Sequence, residues 1–219
     1  LGAFGFSRPE DVAYNPADAT EVVLASTGVD TYDVVNGDGA DTFGTMYTIA
    51  TNFATLEADL TIIYDGDADP NRALRSPDNL DWADDGFIYV QEDEAEEDSL
   101  SGEPLFGPGA ANPNEAGIVR LDPDTGDILR VANIDRDVVL DASIATPTDA
   151  VDTDAGKAGE WESSGILDVS ALFGEDAGTL FIFNVQAHGI EDQDGFNADS
   201  RITDSDLVEG GQLLFLSAP

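Results

Sequence analysis

Apolar and polar residues alternate along much of this chain in short runs, and clusters of Gly, Asp, Asn and Pro break the runs apart. Alternation with a period of two predicts half-buried β-strands, and the breakers predict turns between them. Helical spacing is scarce. The runs fall into three successive groups. The first predicts strands at residues 11–14, 21–25, 44–49 and 60–64, with Asn15-Pro16-Ala17-Asp18 turning the first into the second. The second predicts strands at 79–82, 87–90, 117–121 and 128–131, its last pair joined by the hairpin turn Asp122-Pro123-Asp124-Thr125-Gly126-Asp127. The third predicts strands at 166–169, 179–185 and 211–216 and stops one strand short.

Groups of four antiparallel strands at this spacing predict an all-β chain built as blades of a β-propeller, about residues 1–68, 69–150 and 151–219. A propeller closes only with about four or more blades. The expected object is therefore a partial ring, completed by blades outside this sequence or by another copy of the chain. A β-sandwich of the adhesion type is the alternative architecture, and it predicts that the acids singled out below lie far apart. Long acidic connections at 92–115, 135–160 and 191–209 separate some strands. Connections of this length are usually functional or mobile.

One phrase occurs twice at the start of a group. Arg8-Pro9-Glu10-Asp11 leads into the first strand, and Ser76-Pro77-Asp78-Asn79 leads into the strand that opens the second group. A looser copy, Glu162-Ser163-Ser164-Gly165, opens the third. In a propeller the opening strand of each blade lines the central channel, so Glu10, Asp78 with Asn79, and Glu162 are expected at a shared mouth. Carboxylates gathered there repel one another unless a cation lies between them. Oxygen donors of carboxylate and amide type suit Ca²⁺, and to a lesser degree Mg²⁺ or Mn²⁺.

Charge sharpens this picture. There are 46 acidic residues against 8 basic ones, a formal net charge of −38, and Lys157 is the only lysine. Such a surface repels nucleic acid and anionic membranes. Two readings of the acidity stand side by side: solvation in salty water, or several Ca²⁺ sites. With 42% hydrophobic residues the chain has material for a sizeable core. Without cysteine it has no disulfide, thiolate metal site or cysteine nucleophile. No apolar run reaches the roughly 20 residues of a membrane helix. The chain opens at Leu1 rather than Met, which leads to the expectation of a processed product or fragment whose export signal lay upstream.

Other candidates are less distinctive. Arg8 and Arg75 flank the repeated acids and are candidates for clamping phosphate, or for pairing with the surrounding carboxylates. His188, the only histidine, is a candidate general acid or a structural residue. The Asp-rich stretches 33–41, 65–69 and 192–195 read as accessory cation sites or as solvated turns. None fits an EF-hand; in the second, Pro70 stands where that loop needs Gly.

The phrases at 8–11, 76–80 and 162–165, together with Thr179-Leu180-Phe181-Ile182-Phe183-Asn184-Val185-Gln186, resemble the metal-binding phrases and late strand of the PhoX type of bacterial alkaline phosphatase. The resemblance runs in order over most of the chain and covers the C-terminal part of that family. It implies an exported β-propeller that hydrolyses phosphate monoesters at a centre of calcium and iron. It further implies calcium ligands at Glu10, Asp78, Asn79 and Glu162, with Glu92 as a weaker match. The family's iron site uses a cysteine, which this chain lacks. A non-catalytic, calcium-stabilised surface or matrix protein on the same scaffold is the second expectation. Phosphorylated small molecules are the expected partners if the chain is an enzyme.

Overall fold

The computed structural model of the protein describes residues 5–29, 41–93, 102–136, 150–152, 157–188, 190–192 and 209–218. They form an all-β structure with three antiparallel sheets of three or four strands. The first sheet is a meander of β1 (Pro9–Asn15), β2 (Asp18–Ser26), β3 (Thr45–Asn52) and β4 (Glu57–Asp65). The second has the same order: β5 (Pro77–Trp82), β6 (Ile88–Glu92), β7 (Gly117–Leu121) and β8 (Ile128–Asn133). Two short strands, β9 (Ala150–Asp152) and β12 (Ile190–Asp192), pair with each other. The third sheet holds β10 (Glu162–Asp168), β11 (Leu180–His188) and β13 (Glu209–Ser217), with a one-turn helix α1 (Ser170–Phe173) after β10. Among the described residues the sheets do not close into a ring.

Alternation explains how the sheets stack. In β6, Ile88 and Val90 point into one core, with Val23, Ala25 and Met46 of the first sheet and Leu80, Trp82, Val119 and Leu121 of the second. Tyr89, between them, points into another core, with Ile118 and with Ile166, Phe181 and Phe183 of the third sheet. Both faces of the second sheet are therefore buried, which is why residues 87–90 read as an unbroken apolar run rather than an alternation. Tyr89 and Phe181 rings meet at 4.2 Å across this interface.

The outer sheets each leave an apolar face uncovered by the described residues. On the first sheet the register aligns Val12, Leu24, Tyr47 and Ile62 in one cross-strand row, and Tyr14, Val22, Ile49 and Leu60 in another. Val12, Tyr14, Leu60 and Ile62 are exposed. On the third sheet Leu167, Phe173, Leu213 and Phe215 are exposed, and Phe173 packs edge-on against Phe215.

The inner strands β1, β5 and β10 are bracketed to one another by side chains. Asp11 Oδ2 accepts from the Leu80 N–H at 3.0 Å. Asn79 Oδ1 accepts from the Gly165 N–H at 3.0 Å and from the Ser164 hydroxyl at 2.5 Å. Asp11 and Asn79 stand at the same place in the repeated phrase, two residues after Pro9 and Pro77, so the repeat carries a sheet-to-sheet fastener. A tight approach accompanies it at Gly44, which has φ +81°. A Cβ there would lie 2.5 Å from Pro77 Cδ and 2.6 Å from the Ser26 carbonyl oxygen, so β3 can begin against β5 only with glycine at this position.

Candidate metal centre

The repeated phrase folds the same way in both close copies. Arg8 and Ser76, each just before proline, hold left-handed backbone conformations with φ 55° and 43°. A non-glycine residue in that region is strained by roughly 1–2 kcal/mol. The Arg8 carbonyl accepts from the Thr27 N–H at 2.9 Å, and the Ser76 carbonyl accepts from the Asp93 N–H at 3.0 Å. In each copy a bulge follows, between Pro9 and Val12 and between Pro77 and Leu80. Proline donates no hydrogen bond and the bulge interrupts the ladder, so the acid after each proline is turned out of regular pairing.

The third copy differs from the sequence reading in register. Its bulge lies between Ser164 and Leu167, so Gly165, not Glu162, stands where Glu10 and Asp78 stand. Glu162 lies three residues earlier, at the start of β10, paired with Gln186. The bracket from Asn79 to Gly165 holds β10 against β5 so that Glu162 nonetheless reaches Asp78.

Three carboxylates meet there. Asp78, Asp93 and Glu162 each present an oxygen within 4.8 Å of the others, and all three are half-buried. Arg8 reaches the same group, 3.7 Å from Asp93 and 3.4 Å from Glu10. His188 Nε2 lies 3.4 Å from Glu162 Oε1. The cations present do not offset the acids. Burial, with the negative charges of Asp93 and Glu10, pushes the Asp78 carboxyl up to about 6. Burial, a hydrogen bond with Asp93 and the charges of Asp93 and Asp78 push Glu162 up to about 9. Such a cluster holds either a proton on Glu162, hydrogen-bonded to Asp93, or a cation. Its donors are all oxygen, so a hard divalent ion fits the set.

The sequence-derived residues divide into two groups. Glu10, Asp78, Glu162, Arg8 and His188 are linked around the cluster. The closeness of Asp78 and Glu162 argues against the adhesion-type sandwich, which separates them. Asn79 fastens β5 to β10 through its carbonyl oxygen, so that atom already has two protein donors. Glu92 and Arg75 are fully buried together. Glu92 accepts from the Arg75 backbone N–H, Nε and Nη2 at 3.0–3.1 Å and from Arg130 Nη2 at 2.8 Å. The Arg75 Nη1 donates to the carbonyls of Leu105, Asn112 and Asn114, and its guanidinium lies 4.0 Å over the Phe106 ring. Arg75 thus ties the 102–115 connection to the second sheet and has no route to a substrate.

Asp93 was missed by sequence reasoning. It follows Glu92 at the head of an acidic run and reads as part of a connection. Its backbone bond to Ser76 sets it beside the repeated phrase. The alternation of a strand would have placed Glu92 and Asp93 on opposite sides, one inward and one toward the phrase. Of the Asp-rich stretches, residues 65–69 form a turn: Asp65 Oδ1 accepts from the N–H groups of Asp67 and Ala68, and Asp69 accepts from Asn71, Ala73 and Tyr64. The stretches 33–41 and 192–195 lie almost entirely outside the described residues.

No protein-family model and no curated protein sequence matches the chain. A solved structure does. It is described as Pseudomonas fluorescens PhoX in complex with vanadate, a transition state analogue, and it superposes with a TM-score of 0.55 at 15% identity. The superposition covers 99% of this chain and 34% of the other, so this chain spans about a third of that protein. The fold is shared. Among the described residues no helix is long and apolar enough to cross a membrane.

Proposed function

We propose that the chain is part of an exported, metal-dependent phosphatase of the PhoX type, a β-propeller whose calcium-containing centre includes the carboxylate cluster. The convergence of Asp78, Asp93 and Glu162 carries this reading: three oxygens within 4.8 Å, two of them on carboxyls that resist ionisation, form a cage that gains from a divalent cation. Glu10 stands near the group: its charge acts on Asp78, and its carboxylate lies 3.4 Å from Arg8. The three sheets, within residues 1–68, 69–150 and 151–219, are successive blades. The apolar outer faces of the first and third sheets are where further blades pack, consistent with a chain that spans 34% of the solved relative.

In this reading the substrate is a phosphate monoester. A bound divalent ion supplies the positive charge that a phosphate group needs in so acidic a protein. Arg8 is half-exposed, and its guanidinium offers a fork of donors to phosphate oxygens at the edge of the cluster. His188 places Nε2 3.4 Å from Glu162 Oε1, at the edge of the cluster, where the imidazole is the candidate group to hydrogen-bond a leaving oxygen. Iron chemistry of the family's kind would draw its cysteine from outside these residues.

The absence of cysteine, together with a single histidine, favours a second reading: a calcium-stabilised extracellular protein that keeps the scaffold without the catalysis. The two separate in one assay. The complete native polypeptide is tested for p-nitrophenyl phosphate hydrolysis in Ca²⁺ and in EDTA, beside its Asp93→Asn variant. Hydrolysis that requires Ca²⁺ and is lost in the variant is the expected result. No hydrolysis under any metal condition, with calcium still raising the melting temperature, leaves the scaffold reading; an unchanged melting temperature on chelation removes both.

A further inference from the structure

A second feature lies on the other side of β10, independent of the phosphatase reading. Successive side chains of a strand point to opposite faces. Glu162 faces the carboxylate cluster, whereas Trp161 and Ser163 line a cavity of about 290 Å³ between the second and third sheets. Ile118, Ala132, Phe183 and Leu214 are among its apolar lining, and Asn133, Asp135 and Gln212 line it as well. The wall is held in place: the Trp161 indole N–H donates to the His188 carbonyl at 2.9 Å, and the Arg136 guanidinium lies over its ring.

The Ser163 hydroxyl is the anomaly. The residue is 1% exposed, and its oxygen has no hydrogen-bond partner among the described residues. A buried polar group left in this state costs about 1–3 kcal/mol. An apolar cavity of about 150 Å³ accommodates benzene. One of about twice that volume, mainly apolar with a few polar side chains in its lining, has room for a larger ring system carrying one polar group. Asp135 in the lining and the net charge of −38 disfavour an anion.

We propose that this cavity binds a small, uncharged, mainly apolar molecule of two or three rings whose single polar group hydrogen-bonds the Ser163 hydroxyl, which is closed to solvent as it stands and turns into the cavity by a change of χ1 rotamer. N-phenyl-1-naphthylamine is a suitable probe: it is neutral, has one N–H, and fluoresces strongly in apolar surroundings. Titrated into the full chain, it is expected to bind saturably, one per molecule, with emission sensitised by Trp161. Ser163→Ala is expected to weaken binding about 5- to 10-fold, the loss of one hydrogen bond, while the melting temperature holds or rises because an unpaired buried hydroxyl has been removed. Ala132→Phe, which fills the cavity, is expected to abolish the saturable phase; Leu214→Trp serves if that variant fails to fold. The sulfonated, anionic analogue is expected to bind more weakly, most clearly at low ionic strength. Undiminished affinity in both filling variants would place the probe on the exposed sheet faces and overturn the proposal. So would the absence of any saturable phase, or equal binding of the anionic analogue. Equal affinity in Ser163→Ala would overturn the role of the hydroxyl.

Discussion

Replacing Glu162 by glutamine tests the cluster through its charge rather than through catalysis. In the metal-free protein the folded Glu162 carboxyl is pushed up to about 9 from its ordinary value of 4.5, chiefly by burial. Between those values the native state keeps a proton that the unfolded chain has released. Stability therefore falls as pH rises through this window, because folding must either hold the proton or bury the charge. Each pH unit spent there costs up to about 1.4 kcal/mol, or about 4 kcal/mol from pH 5 to pH 8. The cluster is only partly sequestered, and solvent screening brings this to roughly 2 kcal/mol. Glutamine is neutral at every pH and nearly isosteric, so the variant lacks this loss. Urea unfolding in EDTA at pH 5 and pH 8 is the assay. The general repulsion of a chain with net charge −38 lowers both proteins with pH, so the difference between them is the quantity to read. Wild type is expected to lose about 2 kcal/mol more than Glu162→Gln over this interval. Calcium at about 100 times its dissociation constant is expected to restore about 2.7 kcal/mol to the wild type at pH 8, and less to the variant, which has lost a charged ligand. Parallel pH profiles for the two proteins in EDTA would refute the argument, because they would mean that Glu162 carries no burden of buried charge.

Other substitutions probe the frame around the cluster. Arg75→Met leaves Glu92 buried beside Arg130 alone and frees three carbonyls of the 102–115 connection, so chemical denaturation is expected to show a loss of about 3–5 kcal/mol. Gly44→Ala forces a Cβ into Pro77 and two carbonyl oxygens at positive φ, and an unfolding midpoint lower by at least about 2 kcal/mol is expected. Asn79→Ala removes the acceptor shared by Ser164 and Gly165, costing about 1–3 kcal/mol by the same measurement. Hydrogen exchange in that variant should rise first at the Gly165 amide, the donor left unpaired.

Much of the fold was legible in the chain because strands announce themselves through a period of two, and turns through Gly, Asp, Asn and Pro. The hairpin at 122–127 is the clearest case: Asp122 Oδ1 caps the N–H groups of Asp124 and Thr125, and Gly126 takes φ 75°. The pairing of β9 with β12 was not legible. It joins two acidic connections separated by β10 and β11, and nothing local in three residues specifies a distant partner. The short helix α1 was equally silent, being a single turn closed by Gly174 in a left-handed conformation.

For the candidate site, the sequence by itself determined that acids recur beside strand openings, and that the chain carries an excess of negative charge that a cation would relieve. Tertiary structure alone decided which acids meet. Residue type did not distinguish Arg8 from Arg75, yet Arg8 reaches the cluster, while Arg75 is locked into the core by Glu92 and three carbonyl groups. Nor did it distinguish Glu92 from Asp93, adjacent in the chain and turned to different surroundings. The physical reason is that a carboxylate's role follows from its partners and its burial, and both are set by strand register, bulges and sheet stacking. Glu162 shows this most directly. It looked like the third copy of a repeated position, lies three residues away from that position, and joins Asp78 because Asn79 bolts β10 to β5.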